Sequence, residues 1–352
     1  MQNSQSPYKI VVWATGAVGK YAIKATVRHP DMQLVGVRVY SEAKAGKDAG
    51  EIAGIGKLGV EATMDPEDIY ALDADCVVYA ALPLEASLGD ILRLLESGKN
   101  VVTPIGYSFV KDPELSAKIN AACEKGRSSL HGSGIHPGFC GDRLVLALSA
   151  MCFSIDKVTV YEVADLSDHD ESPELMRQLG FFMSAEEARR TPPMLLPLMS
   201  KIFREGMDLV AAGLHFDIDD FQTSHAFALA TRDIQAVSGV IKKGCVGGQY
   251  FNYRGYSKGK LVMDYQTYWK MSPDALEPNW AFDKTLGYTV KIEGNPGIQC
   301  TFETVGGRPA ELGLVATAAN VFNAIPLVIR APPGMRTALD LPMIVGHDVV
   351  NV

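Results

Sequence analysis

Cysteine, positive charge and long apolar runs are all scarce in this chain. Its six cysteines among 352 residues are scattered and form no C-x-x-C pair. This usage argues against a disulfide scaffold and against a zinc site, and it is typical of a protein of the reducing cytoplasm. The sequence therefore predicts a cytoplasmic protein without a metal centre.

Acidic residues outnumber basic ones by 41 to 33, which gives a net charge of −8 at neutral pH. A negative surface argues against non-specific binding to nucleic acid or to anionic membranes. No uninterrupted apolar run reaches the ~18–20 residues of a membrane span. Met1–Tyr8 also lacks the apolar core of a signal peptide. The length leaves room for two globular domains.

One stretch near the start of the chain has the pattern of a dinucleotide-binding site. A short apolar strand at Ile10–Trp13 precedes a tight turn and a helix that continues to Arg28. The pyrophosphate of a cofactor would lie on N–H groups at the helix start, where the helix dipole favours an anion. The candidate residues are Thr15, Gly16, Ala17, Val18 and Gly19. Ala14 replaces the first glycine of the usual motif, and an alanine is tolerated there if its φ is negative. The alternative interpretation is a strand–helix turn that binds no ligand.

Strand and helix patterns alternate through the first part of the chain, which predicts a doubly wound parallel sheet. The second strand, Leu34–Tyr40, ends without the carboxylate that NAD-specific sites place there. Arg38, Ser41, Lys44 and Lys47 could instead meet a 2′-phosphate, which favours NADP, with NAD as a possible cofactor. Tyr40 is a further candidate cofactor contact. The alternative is that the lysines only solvate a loop.

The carboxyl ends of the later strands are expected to border the reacting centre. The strands Cys76–Leu82 and Asn100–Thr103 give the candidate cofactor contacts. These are Ala81, Leu82, Thr103 and Pro104. Tyr107 follows them; a phenol has an unperturbed pKa of about 10, so it can donate a hydrogen bond to a substrate oxygen at neutral pH. A pocket wall is the alternative role for Tyr107.

Gly132–Phe139 contains three glycines and a proline, which is typical of a loop with special backbone angles. It would cross from the cofactor domain into the second domain and line a cleft. His136 could donate to substrate or cofactor, and Phe139 could cover the nicotinamide. A purely structural linker is the alternative.

The second half of the chain has the pattern of an α+β domain. Strand patterns occupy 157–166, 216–231, 249–256, 260–269 and 285–304, the later ones antiparallel, and helical patterns occupy 174–180 and 197–212. A helix over Leu312–Ala331, interrupted at Asn323–Pro326, is expected to return to the first domain. The predicted division is 1–133 for dinucleotide binding, 134–310 for substrate and dimerisation, and 311–352 for the returning helix and tail.

Three stretches together resemble the dihydrodipicolinate-reductase-like oxidoreductases, in the branch of 2,4-diaminopentanoate dehydrogenase and the native amine dehydrogenases. They are Val12–Gly19, Gly132–Phe139 and Asn323–Gly334. The resemblance implies NAD(P)-dependent hydride transfer at an imine or carbonyl carbon of a small substrate, a Rossmann domain, and a homodimer formed through the C-terminal sheet. It also implies positions beside the nicotinamide for Gly134, His136, Phe139 and Asn323.

The chain departs from that branch at one position. Amine dehydrogenases of this type carry a glutamate just after the strand that corresponds to Asn100–Thr103, whereas this chain has Gly106-Tyr107-Ser108. Three functions therefore stay open. They are reductive amination or ketone/amine interconversion, an alcohol dehydrogenase or carbonyl reductase with Tyr107 as proton donor and His136 as a second catalytic group, and an inactive NADP-binding sensor.

Overall fold

The computed structural model describes residues 6–82, 85–169, 172–280 and 286–350, and the chain divides into two compact units. Unit 1 spans Met1–Gly138 and Leu314–Val352, and unit 2 spans Phe139–Gly313. The chain thus leaves unit 1 and later returns to it. The predicted strand start at Thr285 lies outside the described residues.

Strands and helices follow one another along the whole described chain. The strands are β1 (Tyr8–Trp13), β2 (Met32–Arg38), β3 (Ala62–Thr63), β4 (Cys76–Tyr79), β5 (Asn100–Thr103), β6 (Ser129–Gly132), β7 (Ser154–Asp165), β8 (Asp220–Ala230), β9 (Ile234–Ala236), β10 (Gly239–Ile241), β11 (Val246–Ser257), β12 (Lys260–Lys270), β13 (Leu276–Glu277), β14 (Leu286–Asn295), β15 (Ile298–Glu303) and β16 (Gly334–Met335). The helices are α1 (Ala17–Arg28), α2 (Ala49–Ala53), α3 (Pro66–Ala71), α4 (Glu85–Glu96), α5 (Pro113–Gly126), α6 (Arg143–Ser149), α7 (Pro173–Gln178), α8 (Ala185–Arg190), α9 (Leu196–Gly213) and α10 (Pro309–Arg330).

The sheet of unit 1 has seven parallel strands in the order β16-β6-β5-β4-β1-β2-β3. Its central strands are apolar and buried on both faces, as parallel strands covered by helices are. The strand order reverses between β1 and β4, where a doubly wound sheet opens a crevice at the carboxyl ends of its strands. The predicted α/β class and parallel sheet are confirmed.

Helix α10 belongs to the core of unit 1 through its second half. Val321, Ile325 and Val328 are fully buried in one cluster with Ile10 and Val37 of the sheet. The predicted interruption at Asn323–Pro326 is wrong, because α10 continues through Pro326. A proline removes one helix hydrogen bond, and burial of the flanking apolar face outweighs that cost here.

By length and composition alone, the segment Glu311–Arg330 of α10 could also cross a membrane, with a mean hydropathy of 1.8. Core helices of globular proteins pass the same test, and the second half of this helix buries Val321, Ile325 and Val328 in unit 1, although only 39% of the segment is buried. The sequence prediction counted only uninterrupted apolar runs and therefore missed it.

The large sheet of unit 2 has seven strands in the order β13-β8-β11-β12-β7-β14-β15. Its pairs are antiparallel except for β12 and β7, which are parallel, so the sheet is mixed. The pairs among the strands predicted to be antiparallel, β8 with β11, β11 with β12 and β14 with β15, are confirmed. The long connection from β7 to β12 contains helices and the strands β8 to β11, and such a crossover permits a parallel pair. One face of the sheet is covered by α9, whose Phe203 ring stacks on Tyr253 of β11 at 4.4 Å.

Local details show what sequence patterns resolve and what they miss. The sequence Glu293-Gly294-Asn295-Pro296-Gly297 predicts a hairpin turn, and this prediction is confirmed, because the segment connects β14 and β15. The sequence predicts a helix over Asp112–Lys125 that is closed by Gly126. Gly126 is instead the last residue of α5, and Arg127 takes the left-handed conformation with φ of 55°. Several short elements had no prediction: α2, α3, α8, β3, β13 and the β9–β10 pair.

Candidate active site

The turn between β1 and α1 is open at one glycine and closed at another. A Cβ added to Gly16 would meet no atom within 4 Å among the described residues, and Gly16 is exposed. A Cβ on Gly19 would lie 2.0 Å from the carbonyl oxygen of Ala14, so only glycine lets α1 pack this closely on the turn. The bend therefore has space for a ligand beside Gly16.

The electrostatic environment at the start of α1 favours an anion. Gly16 is its N-cap, and no described side chain caps it or places an acidic group in its first turn. Its first N–H groups and the positive end of the helix dipole consequently face outward. Lys44 adds a positive charge nearby, because its Nζ donates to the carbonyl oxygen and to Oγ1 of Thr15 at 3.0 and 3.2 Å.

Ala14 has a φ of 78°, in the left-handed region. The expectation of a negative φ is wrong. The turn requires the conformation that the usual glycine adopts freely, and an alanine there costs about 1 kcal/mol. The turn keeps its shape because the N–H of Ala14 donates to the carbonyl oxygen of Arg38 at 2.9 Å.

The guanidinium of Arg38 lies at the carboxyl end of β2, between two aromatic rings. Its Cζ is 5.7 Å from the centroid of Trp13 and 4.7 Å from that of Tyr40. The indole Nε1 of Trp13 donates to the Tyr40 hydroxyl at 2.9 Å, which fixes both rings. Cation–π contacts on two sides hold the charge of Arg38 in one place.

Arg38 is only 9% exposed, yet its Nε and Nη1 have no hydrogen-bond partner among the described residues. Buried guanidinium donors without an acceptor are costly, so this geometry suits an anionic ligand with several oxygens. Tyr40 and Ser41 beside it are exposed. Together with the open turn at Gly16, these residues fit a phosphorylated dinucleotide.

The candidate residues after β4 and β5 lie at the carboxyl edge of the sheet. Ala81 and Leu82 follow β4 and are half-buried. Thr103 ends β5, its hydroxyl donates to the carbonyl oxygen of Ile105 at 3.2 Å, and Pro104 beside it is buried. Tyr107 is 8% exposed and has a φ of 59°, an uncommon conformation for a bulky residue.

The loop after β6 packs tightly against the loop after β5. A Cβ on Gly132 would lie 2.2 Å from the carbonyl oxygen of Gly106, and a Cβ on Gly134 would lie 3.0 Å from that of Pro104. The half-buried His136 lies within this crossover. The two loops thus bring the segments of Tyr107 and His136 to the same edge of unit 1.

Helix α10 holds the crossover through Asn320, a residue that the sequence analysis did not single out. Its Nδ2 donates to the carbonyl oxygen of Gly134 at 2.7 Å, and its Oδ1 accepts from the hydroxyl of Ser133 at 3.1 Å. Asn323, named from the resemblance, lies one turn later and is half-buried. Only the three-dimensional position of α10 distinguishes the two asparagines.

Unit 2 begins at Phe139, which contacts residues of that unit. Its ring meets Phe302 edge-on at 5.9 Å, and the guanidinium of Arg143 lies 5.5 Å from its centroid. Burial lowers the pKa of Arg143. Asp142 caps α6 by accepting from the N–H of Arg143 at 2.5 Å.

His225 in β8 lies on the helix-covered face of the large sheet. Its Nε2 is 2.5 Å from Oε1 of Gln249, and its ring stacks on Phe251. Burial lowers the pKa of His225, so the ring is held neutral. This pairing favours a structural role.

The fold brings together His29, Asp31 and Asp348, although the sequence spacing showed no metal-ligand cluster. Their ligand atoms lie within 4.8 Å of one another. The Nδ1 of His29 accepts from the backbone N–H of Asp31 at 3.2 Å, and its Nε2 lies 3.9 Å from Oδ2 of Asp348. Both carboxylates are exposed, so the three groups form a cluster at the surface of unit 1.

Two family models match this chain and together cover most of it. The model of the 2,4-diaminopentanoate dehydrogenase C-terminal domain matches residues 139–349, and that of the dihydrodipicolinate reductase N-terminus matches residues 8–123. The second match includes the turn at Gly16 and the strand end at Arg38.

Relatives of known activity align along nearly the whole chain. An amine dehydrogenase of Streptomyces virginiae is 34% identical over 95% of this chain and 96% of its own length. The 2,4-diaminopentanoate dehydrogenase of Acetoanaerobium sticklandii is 23% identical over 95% and 93%. The structure of an amine dehydrogenase from Mycobacterium smegmatis superposes with a TM-score of 0.80 at 22% identity, covering 97% of this chain and 98% of that one, which shows a shared fold.

Proposed function

The chain belongs to the family of the 2,4-diaminopentanoate and amine dehydrogenases and is an NAD(P)-dependent dehydrogenase, and on that premise we propose that it interconverts a small amine with its imine or ketone, using NADP(H). The carbon that bears the ammonium group loses a hydride and the nitrogen loses a proton, which gives an iminium ion. Addition of water to that iminium then releases the ketone and ammonium. The bound nicotinamide accepts or supplies the hydride. The residues of the chain bind, orient and handle the proton.

The observation that carries the choice of NADP is Arg38. Its buried guanidinium, with Nε and Nη1 unpaired among the described residues, lies at the end of β2, where the adenosine ribose binds in folds of this kind. A 2′-phosphate supplies the missing acceptors, whereas a ribose hydroxyl supplies one at most. Tyr40 and Ser41 would complete this subsite.

The remaining candidate residues take roles from their positions. The N–H groups of residues 15–19 hold the pyrophosphate at the start of α1, and the residues at the ends of β4 and β5 border the cofactor. Tyr107 and His136, on adjoining loops, face the reacting group as hydrogen-bond donors. Gly134 and Asn323 would lie beside the nicotinamide, as the family resemblance implies. Asn320 acts as a positioning residue, because it holds the crossover loop.

The test of the cofactor assignment is a comparison of Arg38→Gln with Arg93→Gln. Arg93 also lies over an aromatic ring, that of Tyr70, but it is paired with Glu67. We expect Arg38→Gln to weaken NADPH binding by about 10–100-fold, the value of one or two charge-assisted hydrogen bonds, and to leave NADH binding unchanged. Isothermal titration measures both constants. Equal loss for both cofactors would contradict a 2′-phosphate subsite.

The requirement for ammonium tests whether the enzyme carries out amine chemistry or only carbonyl reduction. The amine assignment predicts that NADPH-dependent consumption of a ketone requires ammonium. Reduction of the ketone without ammonium would instead support a carbonyl reductase with Tyr107 as proton donor. Dinucleotide binding without turnover of any ketone, amine or alcohol would support an NADP-binding sensor.

We also infer that the protein acts in the cytoplasm as a homodimer on a small-molecule substrate. The face of the large sheet that α9 leaves uncovered carries a group of half-buried aromatic rings, with Tyr250, Tyr268 and Trp280 within 4.7–6.1 Å of one another. Such a patch suits a second copy of the chain. Sedimentation velocity measures the oligomeric state, and a monomer at micromolar concentration would contradict this assignment.

A further inference from the structure

A group of aromatic side chains surrounds Trp13 in the core of unit 1. Its indole ring stacks on Tyr79 of β4 with the ring centroids 5.5 Å apart, and the ring of Tyr70 lies tilted against it at 5.8 Å. The indole Nε1 also donates to the hydroxyl of Tyr40, whose ring flanks Arg38. Trp13 therefore links the buried aromatic rings of unit 1 to the candidate 2′-phosphate subsite.

A carboxylate on α4 accepts hydrogen bonds from two of these phenols. The hydroxyl of Tyr70 donates to Oδ1 of Asp90 at 2.9 Å, and the hydroxyl of Tyr79 donates to Oδ2 at 3.4 Å. Tyr79 also has a hydrogen bond with Tyr40. Burial first, and then Tyr40 and Asp90, raise the pKa of Tyr79 far above its usual range. This phenol therefore stays protonated and remains a hydrogen-bond donor.

The hydrogen bonds between Trp13 and Asp90 run in one direction. An indole N–H is only a donor, and an ionised carboxylate is only an acceptor. Tyr40 accepts from Trp13 and Tyr79 donates to Asp90, so the hydroxyl of Tyr40 donates to the oxygen of Tyr79. This series of four side chains, Trp13, Tyr40, Tyr79 and Asp90, is called the Tyr79 relay below. Each of its two hydroxyls both donates and accepts, which fixes the orientation of both phenol groups.

The residue that the Tyr79 relay restrains is Tyr40, which is 55% exposed. An exposed side chain changes rotamer readily and loses conformational entropy when a ligand orders it. The ring of Tyr40 lies 4.7 Å from the guanidinium carbon of Arg38, closer than the ring of Trp13 at 5.7 Å. A Tyr40 ring that is fixed before the ligand binds avoids this loss and holds the charge of Arg38 in one orientation.

We propose that Tyr79, held by Asp90, is a positioning residue for NADP selectivity, because through Tyr40 it fixes the guanidinium of Arg38 as the receptor of the 2′-phosphate. This inference rests on the NADP assignment of the proposed function. Tyr79 is only 1% exposed, so it acts through Tyr40 and not by direct contact with a ligand. Its effect is confined to NADP(H), since NAD(H) has no 2′-phosphate for Arg38 to bind.

The test compares Tyr79→Phe with Tyr70→Phe. Each variant removes one hydroxyl that donates to Asp90, but only the hydroxyl of Tyr79 belongs to the relay. The dissociation constants of NADPH and NADH are measured by isothermal titration of the full chain. We expect Tyr79→Phe to weaken NADPH binding about 3–10-fold, the effect of one hydrogen bond between neutral groups, and to leave NADH binding unchanged. Tyr70→Phe, the matched control, should change neither constant.

A double-mutant cycle adds a readout that a merely structural role of Tyr79 would not produce. In the background of Tyr40→Phe, which already breaks the relay, Tyr79→Phe should cause no further loss of NADPH affinity. If Tyr79→Phe does not fold, Tyr40→Phe, at an exposed residue, takes its place in the comparison with Tyr70→Phe.

Four results would overturn the proposal. They are full NADPH affinity in the relay variant, an equal loss for NADPH and NADH, an equal loss in Tyr70→Phe, and additive losses in the double variant. If the wild-type chain binds NADPH no more tightly than NADH, the cofactor assignment itself fails, and the inference fails with it.

Discussion

Arg38 in unit 1 and the pair Tyr253 and Thr267 in unit 2 are buried and have polar atoms without a hydrogen-bond partner among the described residues, and they lie in different kinds of place. Arg38 lies at the end of a strand, in the same unit as the first N–H groups of α1. Tyr253 and Thr267 lie in the middle of strands, on a face covered by a helix. A strand end can admit a large ligand through backbone contacts, whereas a mid-sheet row can admit only a small group through side chains. Unit 1 is thus suited to a dinucleotide.

The largest effect is expected from a substitution that removes the backbone contacts of unit 1 with the cofactor. Gly16→Asp puts a carboxylate into the open space of the turn, where it would occupy the position of the phosphate and repel that anion. We expect the dissociation constant of NADPH to rise at least about 100-fold, since an anion-binding helix start becomes an anion-repelling one. Isothermal titration measures it. The control is Gly89→Asp, at a helical glycine that also has no atom within 4 Å of an added Cβ. If Gly16→Asp bound NADPH as tightly as the wild type, the cofactor would have to bind elsewhere.

A smaller effect is expected from a substitution of the candidate proton donor, Tyr107. Tyr107→Phe retains the ring and removes the hydroxyl at a residue next to the crossover loop. We expect kcat to fall about 10–100-fold with an unchanged dissociation constant for NADPH, because general acid–base groups act on turnover. Steady-state kinetics and titration separate the two, with Tyr8→Phe as the control. Full turnover would make Tyr107 a pocket wall.

The smallest expected effect is on stability. Ala14→Gly relieves the left-handed alanine of the turn, and we expect the free energy of unfolding to rise by about 0.5–1 kcal/mol with unchanged cofactor affinity. Urea unfolding measures it. Ala80→Gly, which follows β4 and has no positive φ, should instead lower stability. A loss of stability in Ala14→Gly would show that the turn is not strained.

The contrast between the units also explains what the sequence could predict. In unit 1, a strand, a glycine turn and a helix are neighbours along the chain, so a short pattern predicts both the parallel sheet and the open turn at Gly16. The left-handed φ of Ala14 could not be predicted, because it depends on a hydrogen bond to Arg38 on the next strand. Asn320 likewise depends on where α10 packs.

In unit 2 the relevant neighbours are far apart along the chain. Glu162 and Thr267 become adjacent through the parallel pairing of β7 with β12, and no local pattern fixes that register. The continuous helix through Pro326 was missed for a related reason, since burial against the sheet overrides the local tendency of proline. The candidate residues of unit 1 could be named from sequence, whereas the pairing of Glu162 with Thr267 required the fold.

The pairing of β16 with β6 has a consequence for how this protein is made. The carbonyl oxygen of Pro332 accepts from the hydroxyl of Ser129, and Gly334 and Met335 extend the parallel sheet at its edge. During translation, β6 emerges from the ribosome about 200 residues before its edge partner, and domains generally fold as they emerge. The edge of β6 in the nascent cofactor unit therefore stays unpaired until unit 2 has been synthesised. If translation stalls before α10, this unpaired edge remains accessible to chaperones or to other chains.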